Sequence, residues 1–265
     1  MRVAGHMGEL IQGRLGPGGP VALVTLPCPV LAVTARRQPG AFALHLEGKV
    51  ALDPARAAAL LRVLDLPVTG RFALRGDLPP GGGAGASTAA LVALARAAGA
   101  DEARIAAACL AVEGATDPLM FPASGRLLWA SRQARVLAHL PPLPRIEVLA
   151  GFHGPARRTD PADDDFPDIA DLAAAWPDAC RSARAVAELA AASARRTLAL
   201  RGPAGDPTEE LAENFGAAGF AIGHTGPARA LLFLPGTVPE AAEAALRAAG
   251  FRGILRYVLE GEGDA

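Results

Sequence analysis

The stretch Leu78–Ala98, LPPGGGAGASTAALVALARAA, gathers residue types that suit anion binding. Pro79 and Pro80 close whatever precedes it. The glycines at 81, 82, 83 and 85 allow positive φ and close approach of a ligand to the main chain. Ser87 and Thr88 are good N-cap residues, and a run of helix formers follows. A glycine-rich loop feeding a helix N-terminus offers free N–H groups and a positive dipole end, which suit a phosphate. The same composition also describes a flexible turn capping a buried Ala/Leu helix. A second polar group is Glu113-Gly114-Ala115-Thr116-Asp117, two carboxylates four apart where a helix runs into a small-residue turn. Phosphoryl transfer uses oxygens of this kind to hold Mg²⁺ and to meet the attacking hydroxyl. Two surface acids around a helix-ending glycine are the plain alternative.

Two common nucleotide motifs are excluded. A P-loop has a Lys before its Ser/Thr, and Ala86 stands there. The only lysine of the chain, Lys49, lies well upstream in a turn, which also speaks against a Lys Schiff base. The Rossmann fingerprint needs a shorter loop and an acid at the end of a following strand.

Composition bounds the rest. The chain has 265 residues, 51% apolar, 20% charged, with net charge −1. That is enough for a large core in one domain or two lobes. No basic field points to nucleic acid, and no long apolar run points to a membrane span. Cys28, Cys109 and Cys180 are scattered in apolar contexts, as reduced thiols of a cytoplasmic protein would be. The N-terminus lacks the apolar core of a secretory signal.

The elements that must position these residues follow from patterning. Val3–Arg14 reads as a strand, a glycine turn and a second strand, with Glu9 solvated or, with Gln12, facing a pocket. Val21–Ala35 reads as two strands, or one bent at Pro27-Cys28-Pro29. Phe42–Leu46 is a short strand. A helix over Asp53–Leu64 starts with Asp53 as N-cap and Pro54 at its first position. Thr69–Leu74 is a strand running to the loop, and Ala89–Ala98 the helix after it. Asp101 caps a helix over Asp101–Val112, and Arg126–Val136 gives a strand pair. Pro141, Pro142 and Pro144 mark a boundary between lobes at 1–142 and 143–265, with a strand at Arg145–Ala150.

Gly154–Asp171 is rich in Asp, with Arg157 and Arg158 beside them. It reads as a solvated surface segment, or as a lid whose arginines meet phosphate or a carboxylate. Ile169–Leu200 is two helices broken near Pro177, and Glu209–Ala218 a third. Phe220–Leu234 is a strand, a turn at Gly223-His224-Thr225-Gly226, and a strand. A helix at Pro239–Ala249 and a strand at Gly253–Leu259 complete a pattern that fits a ferredoxin-like second lobe. A lone histidine in such a turn is usually a surface residue.

Taken together, the segments resemble the GHMP kinases, the superfamily of galactokinase, homoserine kinase and mevalonate kinase. Pro79, three residues, then Gly83-Ala84-Gly85-Ala86-Ser87-Thr88-Ala89 resembles their phosphate loop, with Ala86 replacing a usual serine and Ala84 a usual large apolar residue. Gly8-Glu9-Leu10-Ile11-Gln12-Gly13, then Leu26-Pro27-Cys28-Pro29-Val30, is similar to signatures of the L-threonine kinases of propanediol utilisation and cobalamin side-chain synthesis. Glu113…Thr116-Asp117 and His224-Thr225-Gly226 match two further segments of that group.

The resemblance implies an α+β, two-lobed fold, with a ribosomal-S5-like first lobe and a ferredoxin-like second lobe. It implies ATP and Mg²⁺ as cofactors and phosphorylation of L-threonine to O-phospho-L-threonine. The acceptor could equally be homoserine or a mevalonate-like acid, and a degenerate metabolite-binding regulator is the non-enzymatic reading. Pro80, Gly81, Gly82, Gly83, Ala84, Gly85, Ala86, Ser87 and Thr88 would hold the nucleotide. Glu113 would hold Mg²⁺, with Ser87 or Thr88 as hydroxyl ligand, and Asp117 would act on the acceptor; the two acids could exchange roles. Glu9, Gln12, His224, Thr225 and Gly226 would line the substrate site. His6, Arg14 or Arg157 could supply a basic group near the phosphates.

Overall fold

A computed structural model describes residues 1–223 and 225–259 of the chain. His224 therefore lies outside the described residues. Strand β1 (Arg2–Arg14) and strand β2 (Val21–Ala41) form a long antiparallel pair at the centre of a ten-stranded sheet. The expected hairpin within Val3–Arg14 is instead one strand. Gly8 adopts φ +77°, but it serves a β-bulge, not a turn: between His6 and Glu9 the register against β2 slips by a residue. The Pro27-Cys28-Pro29 segment likewise leaves β2 unbroken. A second irregularity in the β1 pairing, between Ala4 and Gly5, adjoins it.

Beyond β2 the sheet continues with β4 (Thr69–Gly76) and then β3 (Ala43–Gly48), which run parallel to each other. Helix α1 (Pro54–Val63) makes the crossover between them, capped by the Asp53 carboxylate, which accepts from the Arg56 amide. After β4 comes the glycine-rich loop, then α2 (Ala86–Ala98) and α3 (Glu102–Glu113). Helix α2 starts at Ala86, earlier than expected, and its N-cap is Gly85 rather than Ser87 or Thr88. Gly85 sits at φ +72° with no side-chain cap. A cap is dispensable because Ala89 through Ala95 are completely buried. Each fully buried Leu or Val contributes about 1.5–3 kcal/mol, more than a cap at about 1 kcal/mol. Strands β5 (Leu127–Ala130) and β6 (Arg135–His139) pack beside β2.

The C-terminal part is β7 (Ile146–Phe152), helices α4 (Ala170–Ala179), α5 (Ala183–Arg201) and α6 (Thr208–Asn214), β8 (Gly219–Ile222), β9 (Ala228–Phe233), α7 (Ala242–Ala248) and β10 (Arg252–Leu259). Its strands lie in the order β10-β7-β9-β8, the ferredoxin-like arrangement. The helix break falls at Cys180–Ser182, after Pro177. A proline in the last turn removes only one bond there, and buried Trp176 anchors the turn; Ser182 then caps α5. Helix α6 ends at Asn214, ahead of the expected Ala218, with Gly216 left-handed just beyond. Among the described residues no helix is long and apolar enough to cross a membrane.

The two halves of the sheet meet where Glu9 of β1 pairs with Ile222 of β8. A Cβ on Gly8 would lie 2.5 Å from the Ile222 carbonyl carbon, whereas one on Gly16, at φ +76°, would meet nothing within 4 Å. Left-handed φ alone costs an L-residue about 1–2 kcal/mol. Gly16→Ala should therefore lose about that much in urea unfolding, and Gly8→Ala clearly more. Equal losses would show that the bulge has room to spare.

Candidate active site

The loop between β4 and α2 is held by its carbonyls. Gly81 O accepts from the Arg157 amide at 2.9 Å, Gly82 O from the Ala228 amide at 2.9 Å, and Ala84 O from the His6 amide at 3.2 Å. Three separate parts of the chain thus clamp one face of the loop. The amides behave differently. Gly82 N–H closes a turn onto Pro79 O, but those of Gly83 through Thr88 find no acceptor among the described residues. Donors left over at the start of a helix, beside its positive dipole end, fit a phosphate chain. Thr225 and Gly226 pack closely on the loop, since a Cβ on Gly83 would lie 2.4 Å from Thr225 O and one on Gly226 2.8 Å from Gly83 N.

The first turn of α2 projects Ser87 and Thr88 toward the two acids. Ser87 Oγ donates to Glu113 Oε1, and the Arg56 guanidinium lies against both, donating to Ser87 and pairing with Glu113. Thr88 Oγ1 lies 3.3 Å from Asp117 Oδ2 and accepts from the Asp117 amide at 3.3 Å. The Asp117 turn is fixed from behind, where Thr116 N–H donates to Ser131 O and the buried Trp129 indole donates to Thr116 O at 2.6 Å. A hydroxyl beside a carboxylate is a hard oxygen pair, so Ser87 and Glu113 fit Mg²⁺, which takes few protein ligands and completes its shell with phosphate and water.

On the other side of Asp117 lies His6. Its Nε2 is 3.5 Å from Asp117 Oδ2 and its Nδ1 3.5 Å from Glu9 Oε1, ion-pair separations rather than short hydrogen bonds. Burial opposes its charge most strongly. Contact with Asp117 and its charge, the charge of Glu9 and the Gly8 carbonyl together outweigh that and carry the imidazole up to about 9. The ligand atoms of His6, Glu9 and Asp117 lie within 4.8 Å of one another. With the imidazole charged between two carboxylates, the three form an internal ion cluster.

The other sequence-predicted residues separate. Gln12 is buried: its side-chain amide donates to Ile222 O at 3.2 Å, and its main-chain N–H donates to Ser193 Oγ of α5 at 3.0 Å. Arg14 pairs with Asp164, and Arg157 reaches the loop with its main chain. The 154–168 segment is tied across the site: Thr159 meets Thr225 at 3.0 Å, Pro161 sits against Gly114, and Asp163 pairs with Arg201. Arg56 was missed by sequence reasoning. One signal was available, because a basic residue in the first turn of α1 stands against the helix dipole.

No family model matches the chain, and no curated protein matches it. Solved structures do. Mevalonate kinase of L. major, determined with R-mevalonate, superposes with a TM-score of 0.70 at 13% identity, covering 99% of this chain and 96% of that one. Homoserine kinase from Cytophaga hutchinsonii gives 0.62 at 16% identity, over 99% and 95%. A 4-(cytidine 5'-diphospho)-2C-methyl-D-erythritol kinase gives 0.57 at 20% identity, over 98% and 100%. Both halves of the sheet are matched end to end, and the chain has the α+β fold of the GHMP kinases.

Proposed function

We propose that this chain is an ATP-dependent kinase that phosphorylates the hydroxyl of a small molecule, with L-threonine as acceptor and O-phospho-L-threonine as product. The observation that carries the reading is the run of amides from Gly83 to Thr88 with no acceptor among the described residues, leading into the helical turn whose hydroxyls meet Glu113 and Asp117. The amides, with the loop from Pro80 to Ala86, hold the phosphate chain. Ser87 and Glu113 hold Mg²⁺, which when bound offsets charge on the transferring phosphoryl group. Asp117 receives or orients the acceptor's hydroxyl proton. His6, charged and buried behind it, sets its Nε2 3.5 Å from the Asp117 carboxylate. Catalysis on this plan is positioning and electrostatics, as the reaction requires.

The choice of acceptor rests on the Gly8–Gly13 and Leu26–Val30 signatures. Homoserine, which the Cytophaga enzyme is named for, is an isomer of threonine, and Glu9, His224, Thr225 and Gly226 are the residues to discriminate them. We place the lobe boundary at 142/143, which puts the site between the lobes, in a cytoplasmic enzyme.

An ATP-turnover assay with a panel of L-threonine, L-homoserine and mevalonate tests this directly. Threonine should stimulate turnover most; stimulation by another acceptor alone would replace it, and nucleotide binding without turnover would favour a regulator. Asp117→Asn should lower kcat about 10²–10⁴-fold, the usual worth of a general base; unchanged turnover would remove Asp117 from the reaction. Gly85→Asp, whose Cβ would lie 2.6 Å from Leu119 Cδ1 and 2.8 Å from His6 Cδ2 at φ +72°, should distort the loop and weaken ATP binding at least about tenfold, roughly 1.4 kcal/mol. His6 has a folded pKa above its unfolded one, near 6.5, so its stabilisation is complete below that value and fades as pH rises through about 9. Wild-type stability should therefore fall between pH 7 and 10 more steeply than that of His6→Gln, and parallel curves would contradict the charged histidine.

A further inference from the structure

The loop 81–88 carries no basic side chain, and the chain's single lysine is elsewhere. A phosphate chain gathered only on amides and one divalent cation would leave much of its charge unmet. The basic head group that reaches the first turn of α2 is Arg56, from the first turn of α1. It lies on Ser87 and Glu113, the two oxygens to which the kinase reading gives the metal. We propose, on the basis of that reading, that Arg56 is the basic phosphate-binding residue of this site. Its guanidinium is an exchangeable occupant of Ser87 and Glu113, and turns onto the outer phosphates when those oxygens go to a divalent cation.

Four observations support the assignment. A guanidinium and a divalent cation cannot share one carboxylate oxygen without strong mutual repulsion, so occupancy by one displaces the other. The planar fork of Arg matches phosphate oxygens two at a time. Arg56 is held where a cation is disfavoured, since it stands at the positive end of α1. The Arg158 charge also acts on it, against the opposing charge of Asp53. An anion between Arg56 and Arg158 relieves both. Finally, the move is short: the head group already touches Ser87, whose own amide is among the free donors, and the side chain is 29% exposed. The opposing possibility is a plain brace, since Arg56 Nη1 also donates to Ala51 O at 3.3 Å.

Arg56→Met separates the two through binding rather than activity. Mn²⁺ affinity without nucleotide, followed by electron paramagnetic resonance, should rise several-fold once the competing cation is gone. ADP affinity without metal, followed by calorimetry, should fall about tenfold or more. Arg56→Lys, which keeps a charge but not the fork, should recover part of the ADP affinity. A brace predicts both affinities falling together, or neither moving, and either result overturns the proposal. Should Arg56→Met fail to fold, Arg56→Lys decides: unchanged ADP and Mn²⁺ affinities would overturn the proposal as well. If the wild-type protein binds neither Mn²⁺ nor ADP, the kinase reading falls and this inference with it. If it binds both and the variants do not shift as stated, this inference alone falls.

Discussion

The site depends on one asymmetry in the main chain of the glycine loop: the carbonyls of Gly81, Gly82 and Ala84 are bonded, while the amides from Gly83 to Thr88 find no acceptor among the described residues. Arg157, Ala228 and His6 each spend an amide on a loop carbonyl. A peptide group whose oxygen is fixed cannot rotate, so its N–H direction is fixed too. A flexible glycine run would lose conformational entropy on gripping a ligand, about 1–2 kcal/mol for each ordered residue. Here that ordering is already supplied by contacts from β1, β9 and the 154–168 segment. Preorganised donors of this kind are where electrostatic catalysis is most effective.

Two polar knots flank the loop, and they are built on opposite principles. His6, Glu9 and Asp117 form a closed cluster, with His6 and Glu9 each about 3% exposed and a cation set between carboxylates. Removing one partner of such a cluster leaves an uncompensated buried charge. Arg56, Ser87 and Glu113 form an open one, with the guanidinium 29% exposed beside a second arginine. Exposure and nearby like charge make its ion pair weaker than that of a fully enclosed pair. The two knots attach to successive residues of one helical turn, Ser87 and Thr88, so their relative position is set by a single rigid element.

Much of this was legible in the sequence. Asp53 and Asp101 mark their helix starts because side-chain capping is local chemistry, and both caps form as expected. The glycine loop and the two acids stand out by residue type alone. The start of α2 was not legible: burial of the whole helix overrides the need for a Ser or Thr cap, and burial is a property of the assembled core. Arg56 was hidden for a related reason. Its partner Ser87 is 31 residues away, and only the crossover of α1 between β3 and β4 brings them together.

The bulge at Gly8 ties these points together. In a regular strand, residues three apart point to opposite faces. His6 and Glu9 are three apart, yet their side chains meet at 3.5 Å. The extra residue inserted between them reverses the phase of β1, so both turn to the same side. A further shift in the β1 pairing falls between Glu9 and Ile11, and Gln12 beyond it bonds β8 and α5. What reads in sequence as a hairpin glycine is thus a phase shift. It lets one uninterrupted strand bond the loop through its His6 amide, lend two charged groups to the Asp117 cluster, and still join the ferredoxin-like strands at Ile222. A hairpin at this point would have supplied the turn but severed the sheet, and with it the fixed distance between the loop and the pair Thr225 and Gly226 that packs on it.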